Sequence, residues 1–268
     1  VALVARHFPG VRDISIPSRM THNVTLSTMH GCPPNEIEQI SEYLINDWNL
    51  HTSVKLNPTL LGPERLRSIL NRELGYKEVV VPDLAFEHDL KYADGVPMLR
   101  RLQERAAARG LQFGVKLSNT LEVENPRDVF AAKEKMMYLS GRALHAVTVN
   151  LAAKLAEEFD GGLMMSFSAG ADAFNVAEVL SCGVRTVTVC SDILKPGGYL
   201  RLLQYLENLG ESMRAEGAAD LRDYVCRRAA ASGGPAGSGP TDPHVAACAL
   251  HNVKRYAQQV LAEPHLKK

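Results

Sequence analysis

Short runs of β-branched and aliphatic residues alternate along the chain with longer stretches whose apolar positions return every three or four residues. The short runs predict strands at 23–27, 53–57, 78–82, 112–117, 163–167 and 185–190. Between them, Ile37, Ile40, Leu44 and Trp48 fall at helical spacing, as do Leu66, Ile69 and Leu70, and Leu99, Leu102 and Ala106. Residues 149–159 and 174–180 read the same way. Strand and helix in alternation argue for parallel strands, because a parallel pair needs a crossover long enough to return to the same end of the sheet. Six strands are two short of a closed eight-stranded barrel, and an open sheet satisfies the same pattern. The choice between the two rests on the residues at the strand ends.

Beyond Tyr199 the pattern turns helical, through Leu209 and on to about Arg228. Residues 232–240, SGGPAGSGP, have the composition of a flexible linker. A further helix fits 244–261, too short to fold alone, which either begins another module or docks on the preceding one. The expected organisation is therefore an irregular lead-in at 1–22, a barrel domain at 23–230, a linker at 231–243 and a helical stub of a following module at 244–268.

Composition narrows the class of molecule. The 46% hydrophobic and 22% charged residues are ordinary for a globular protein. Thirty basic residues balance thirty acidic ones, so no basic excess exists to hold nucleic acid or an anionic membrane. No apolar run reaches the ~18 residues that a membrane span requires. The opening VALVARHFPG lacks a hydrophobic signal core, which leads us to expect a cytoplasmic protein. It also opens without methionine, as a piece of a longer polypeptide would. The five cysteines are scattered and odd in number, which is no disulfide framework. Cys226 and Cys248 flank the linker without a nearby CxxC, and no metal ligand set is expected from spacing.

Two segments nearly repeat, VKLNPTL at 54–60 and VKLSNTL at 115–121. Side chains alternate across a strand, so valine and leucine take one face while Lys55 and Lys116 take the other. One such lysine fits an exposed edge strand. Two, each followed by Asn57 or Asn119 where a strand ends, fit cations turned toward a ligand, because an unpartnered ammonium is costly to bury. In SFSAGADAF and VTVCSD, strands end in Ser168-Ala169-Gly170 and Cys190-Ser191. Small residues there let backbone amides approach a phosphate, with a helix amino terminus adding positive potential. Ser140-Gly141 in YLSGRALH is a weaker signal of the same kind. In TLSTMHGCPPNEIE, Thr28, His30 and Cys32 are candidate proton carriers, and Cys32 beside a helix start is expected to have a lowered pKa. The cluster Asp83, Glu87, His88 and Asp89 fits a solvated loop.

Together, STMHGCPPNEIE, VKLNPTLLG, VKLSNTLEVEN, MMYLSGRALH, SAGADAFNVAE and VCSDILKPGGYLRL resemble the flavin-binding barrel of the dihydroorotate and dihydropyrimidine dehydrogenases. They resemble more closely the selenate reductase subunit family of large iron–sulfur flavoproteins, over roughly Asn23 to Leu202. The resemblance implies an α/β fold, a partial (β/α)8 TIM barrel of the FMN-linked oxidoreductase type. It places Lys55 near a flavin and matches Asn119-Thr120, Ser140-Gly141 and Cys190-Ser191 to flavin-binding positions. Ser168-Ala169-Gly170 stands where the dehydrogenases pair glycines around the flavin phosphate. TLST replaces their Asn-Leu-Ser-Cys, so Thr28 stands at the catalytic cysteine and Cys32 lies four residues on. The family's earlier barrel strands, and its modules carrying iron–sulfur clusters and a dinucleotide, are not matched here.

The implied function is that of an oxidoreductase subunit, in which FMN passes electrons to or from a small polar heterocycle or oxyanion. Its expected partners are that substrate and other domains or subunits of the complex. Two alternatives stand beside it. One is a barrel that has lost its cofactor and serves as a scaffold for iron–sulfur and dinucleotide modules. The other is a lyase in which Lys55 or Lys116 forms a Schiff base.

Overall fold

The two lysine-bearing segments lie side by side. In the computed structural model, which describes residues 2–15, 17–28, 30–125, 129–131, 133–236 and 242–267, β1 (Asn23–Leu26), β2 (His51–Leu56) and β3 (Phe113–Leu117) are neighbouring strands of one sheet. After β3 comes an antiparallel hairpin, β4 (Leu121–Glu124) with β5 (Met136–Leu139). The main sheet then resumes with β6 (Met164–Phe167) and β7 (Thr186–Val187), in the order β1-β2-β3-β6-β7. Its pairings are all parallel. The strands curl into a half-barrel, a partial TIM barrel of α/β class.

Register explains the shape of the concave face. Lys55 stands opposite Lys116, Lys116 opposite Ser166, and Ser166 opposite Thr186, a polar row running across four strands. The alternate positions Val54, Leu56, Val115, Leu117 and Phe167 are at most 2% exposed and form the apolar layer beneath the helices. Those helices are α1 (Pro34–Asn46), α2 (Pro63–Arg67), α3 (Asp83–His88), α4 (Tyr92–Ala108), α5 (Arg142–Glu158) and α6 (Val176–Ser181). They, with the π-helical turn Ser68–Glu73 that continues α2, bury Leu66, Ile69, Leu70, Leu99, Leu102 and Ala106 at the spacing the sequence predicts. The α1 face is rotated from the expected one. Ile37, Ser41 and Ile45 are buried, whereas Ile40 and Trp48 are 40% and 52% exposed.

Residues 78–82 form no strand. Side chains hold two of this segment's carbonyls, Asn71 Nδ2 donating to Val79 O and Arg67 to Val81 O, and a single backbone bond from Glu124 N of β4 reaches Val80 O. That one bond does not extend into a ladder, and the segment leads into α3. The helical stretch after Tyr199 divides into α7 (Arg201–Ala215) and α8 (Leu221–Ala231), with Gly217 at φ +65° between them. Of the expected linker, residues 237–241 lie outside the described residues. α9 (Asp242–Gln259) packs against α5 and α8 and buries Cys248, Asn252, Val253 and Tyr256. No helix among the described residues is long and apolar enough to cross a membrane.

Candidate functional site

The polar row of the sheet opens into a cavity of about 640 Å³ at the carboxyl ends of the strands. Lys55 and Lys116 form part of its floor, and neither has a carboxylate partner among the described residues. Partial burial, and then the neighbouring charge of Lys116, push the Lys55 pKa below its ordinary 10.5. The cavity is therefore a place where positive charge is held at a cost that an anion would relieve.

Its rim is built from small residues in close contact. Ser140, Gly141, Ser168, Gly170, Cys190 and Ser191 all line it, with Asn119 and Thr120 beside them. Gly170 has φ +63°, and a Cβ there would lie 2.5 Å from the Gly141 carbonyl oxygen. Gly141 has φ +68°, and its Cβ would lie 2.9 Å from Ser191 Oγ. Three loops distant in sequence thus meet closely, backbone against backbone at Gly170 and backbone against the Ser191 side chain at Gly141, and the positive φ at both positions favours glycine. Asn57 does not line the cavity but accepts a 2.7 Å hydrogen bond from Asn119 Nδ2. Ala169 lies behind the wall, 2% exposed.

The helices after two of these turns start close to where the periodicity predicts, but not at the turns themselves, where a helix amino terminus is expected to add positive potential. α6 begins at Val176 and α7 at Arg201, well past the small-residue turns that precede them. The helix whose first turn lines the cavity is α5, following Ser140-Gly141, and it adds Arg142 to the wall. The loop after Cys190-Ser191 is instead fixed by a charged cluster that sequence reading missed. Asp192, 5% exposed, is bonded by Lys195 at 2.8 Å, by Arg201 at 3.0 and 3.1 Å, and by the Tyr205 hydroxyl at 2.8 Å. Burial opposes ionisation of Asp192, but these donors outweigh it and bring its pKa to about 2. The signal was present in SDILKPGGYLR, where an acid is followed by two bases within nine residues.

Thr28 and Cys32 gather at a small crevice that Lys55 also lines, so it adjoins the main cavity. Here the structure corrects the expected thiolate. Burial and the Glu36 carboxylate, 3.8 Å from Sγ, raise the Cys32 pKa above its ordinary value. His30 is paired instead. Its Nδ1 lies 3.1 and 3.2 Å from the two carboxylate oxygens of Asp89, which also accepts a 2.6 Å hydrogen bond from the Thr59 hydroxyl. The His30 pKa is raised, chiefly by that hydrogen bond to Asp89. Asp89, expected in a solvated loop, is 4% exposed, while Asp83, Glu87 and His88 are exposed. An Asp-oriented histidine with its other nitrogen unbonded among the described residues can carry a proton at Nε2.

A second buried pair supports the wall from behind. His145 Nδ1 donates to the Ala169 carbonyl at 2.8 Å, and Nε2 accepts from the Tyr256 hydroxyl at 2.7 Å. Burial holds the His145 pKa down to about 4, so the ring is neutral and this tautomer is fixed. α9 is thereby tied to the Ser168–Gly170 loop.

A profile of the family described as "Oxidoreductase YgfK, N-terminal TIM-barrel domain" matches residues 6–234. The chain is also similar to two curated proteins, each named "Putative oxidoreductase YgfK", from Escherichia coli strain K12 and from Escherichia coli O157:H7. Each is 46% identical over 194 residues, which is 72% of this chain and 18% of the relative. The chain spans about a fifth of the length of these relatives.

Proposed function

Given that the chain belongs to the family of YgfK N-terminal TIM-barrel oxidoreductase domains, we propose that its cavity is a flavin mononucleotide site, serving electron transfer to or from a small polar heterocycle or oxyanion, as in the dihydropyrimidine dehydrogenases. The observation that carries this reading is the meeting of two ammonium groups without a carboxylate partner among the described residues and three small-residue loops around one cavity. The donor set suits the group. A terminal phosphate needs backbone amides and hydroxyls at close approach, and Ser140-Gly141, Ser168 to Gly170 and Cys190-Ser191 offer both.

Bound there, FMN would supply the electron transfer itself. The chain's own residues have three tasks. The loops around Gly141, Gly170 and Ser191 hold the phosphate, with Arg142 at the start of α5 adding charge. Lys55 and Lys116 stabilise negative charge in the cavity, and the burial and mutual repulsion that lower the Lys55 pKa are offset when an anion lies between them. His30, oriented by Asp89, holds a proton at Nε2, with Thr28 and the thiol of Cys32 beside Lys55 as the alternative relay. Iron–sulfur clusters and a dinucleotide belong, on this reading, to the parts of the intact protein beyond this chain.

Titration of the flavin-stripped intact protein with FMN and with riboflavin tests the phosphate grip. The proposal predicts that FMN binds more tightly by at least about tenfold, and that Gly170→Ala removes this preference by forcing the Gly141 carbonyl away. Equal affinity for the two ligands, or none for either, would leave the cofactor-free scaffold as the better reading.

A further inference from the structure

α8 and α9 meet over a small apolar cluster of Val225, Ala229, Cys248 and Ala249. At its edge, Cys226 on α8 and His244 and Cys248 on α9 turn toward one another, with one donor atom of each within 4.8 Å of the others. His244 and Cys248 are four residues apart on one helix, so they share a face one turn apart. Cys248 Sγ lies 3.6 Å from His244 Nε2. Tetrahedral zinc with bonds of about 2.3 Å to sulfur and about 2.0 Å to nitrogen sets those two atoms roughly 3.5 Å apart. Both thiols are free.

We propose that Cys226, His244 and Cys248 bind a zinc ion that staples α8 to α9. Two thiolates and a neutral imidazole balance the 2+ charge, so the half-buried site carries no net charge into the apolar cluster beside it. Binding releases the two thiol protons, and the fourth tetrahedral position is left to water. The site is separate from the flavin cavity. Val225, Val245 and Ala249, neighbours of the donors in sequence, line a second cavity of about 450 Å³ that also includes Leu163, Met164, Val184 and Arg185, at the amino ends of β6 and β7. The consequence reaches the flavin cavity nevertheless. α9 also carries Tyr256, whose hydroxyl fixes His145 and, through it, the carbonyl of Ala169 next to Gly170. The three donors escape sequence reading because they fit no CxxC or HxxxH spacing and are assembled only by helix packing.

The test is the zinc content of the intact protein, grown with zinc and purified under reductant, against Cys226→Ser and His244→Ala. These two positions are half-buried, and the fold of each variant is checked by circular dichroism. The proposal predicts one equivalent of zinc fewer in each variant than in the wild type. It also predicts that cobalt substitution gives thiolate-to-metal charge-transfer and tetrahedral ligand-field bands in the wild type that both variants lack. Equal zinc in wild type and variants, or a Cys226–Cys248 disulfide in the protein purified under reductant, would overturn it. Flavin content is read separately, so loss of one property leaves the other informative.

Discussion

Among single residues, His30 and Asp89 carry the sharpest expectation. The hydrogen bond to Asp89 raises the His30 pKa above its usual 6.5, against an opposing effect of burial. A group with a raised folded pKa adds stability that is fully present below its unfolded pKa and is lost as pH rises through the folded one. Ring-proton NMR titration should therefore place His30 above 6.5 in the wild type and shift it downward in Asp89→Asn, where burial is opposed only by the charge of Glu122. An unchanged midpoint in the variant would show that the pair does not govern His30. Lys55 and Lys116 could be read from the sequence because a strand's alternation is local, and VKL fixes which side the lysine takes. Asp89 could not, because its partner lies 59 positions away and its own neighbours are charged and exposed. Cys32 was misjudged for a similar reason. The helix start beside it is visible in Pro33-Pro34, whereas the closeness of Glu36 to the sulfur appears only once the turn has folded.

At the scale of elements, the contact between α9 and α5 determines how firmly the Ser168–Gly170 loop is held. Tyr256→Phe removes the donor to His145 Nε2 and leaves a buried acceptor unsatisfied, which should cost about 1–3 kcal/mol by urea denaturation. pH dependence separates this from general damage. With a folded pKa of about 4 against an unfolded 6.5, His145 binds its proton more readily in the unfolded chain. Stability falls as pH drops from 6.5 toward 4 and levels below that. His145→Gln should flatten that part of the stability profile, and an identical acid slope would contradict the assignment. The strand–helix alternation was legible because each βα unit announces itself by local periodicity. The β4–β5 hairpin was not, since its four-residue strands are too short to show alternation, and the Asn125 side chain organises the turn by bonding Phe130 O and Glu134 O. Residues 78–82 have strand composition, yet Val79 O and Val81 O accept from the side chains of Asn71 and Arg67, and the segment's contact with β4 is a single backbone bond at Val80 O.

For the whole molecule, the sheet leaves β1 and β7 each with one strand neighbour, and its concave face presents Thr25, Ser53, Lys116, Ser166 and Thr186 along a groove. A polar concave face suits the inside of a cofactor-binding barrel better than a layer packed purely for stability. The parallel α/β sheet was legible from the alternation, the half-barrel only from the residues at the strand ends and the resemblance they carry, and the convergence of its loops on one cavity followed from parallel strands sharing their carboxyl ends. The bracing by α9 joins segments that only three-dimensional packing brings together, whereas the Asp192 cluster is local, its bases three and nine residues on. The central claim is that the lysines and small-residue loops form a flavin site. Its most direct test is the visible absorption spectrum of the intact protein as isolated, with the released chromophore identified by mass. The account predicts the bands of oxidised flavin and close to one FMN per chain. An intact protein that shows no flavin absorbance and takes up no FMN would contradict it.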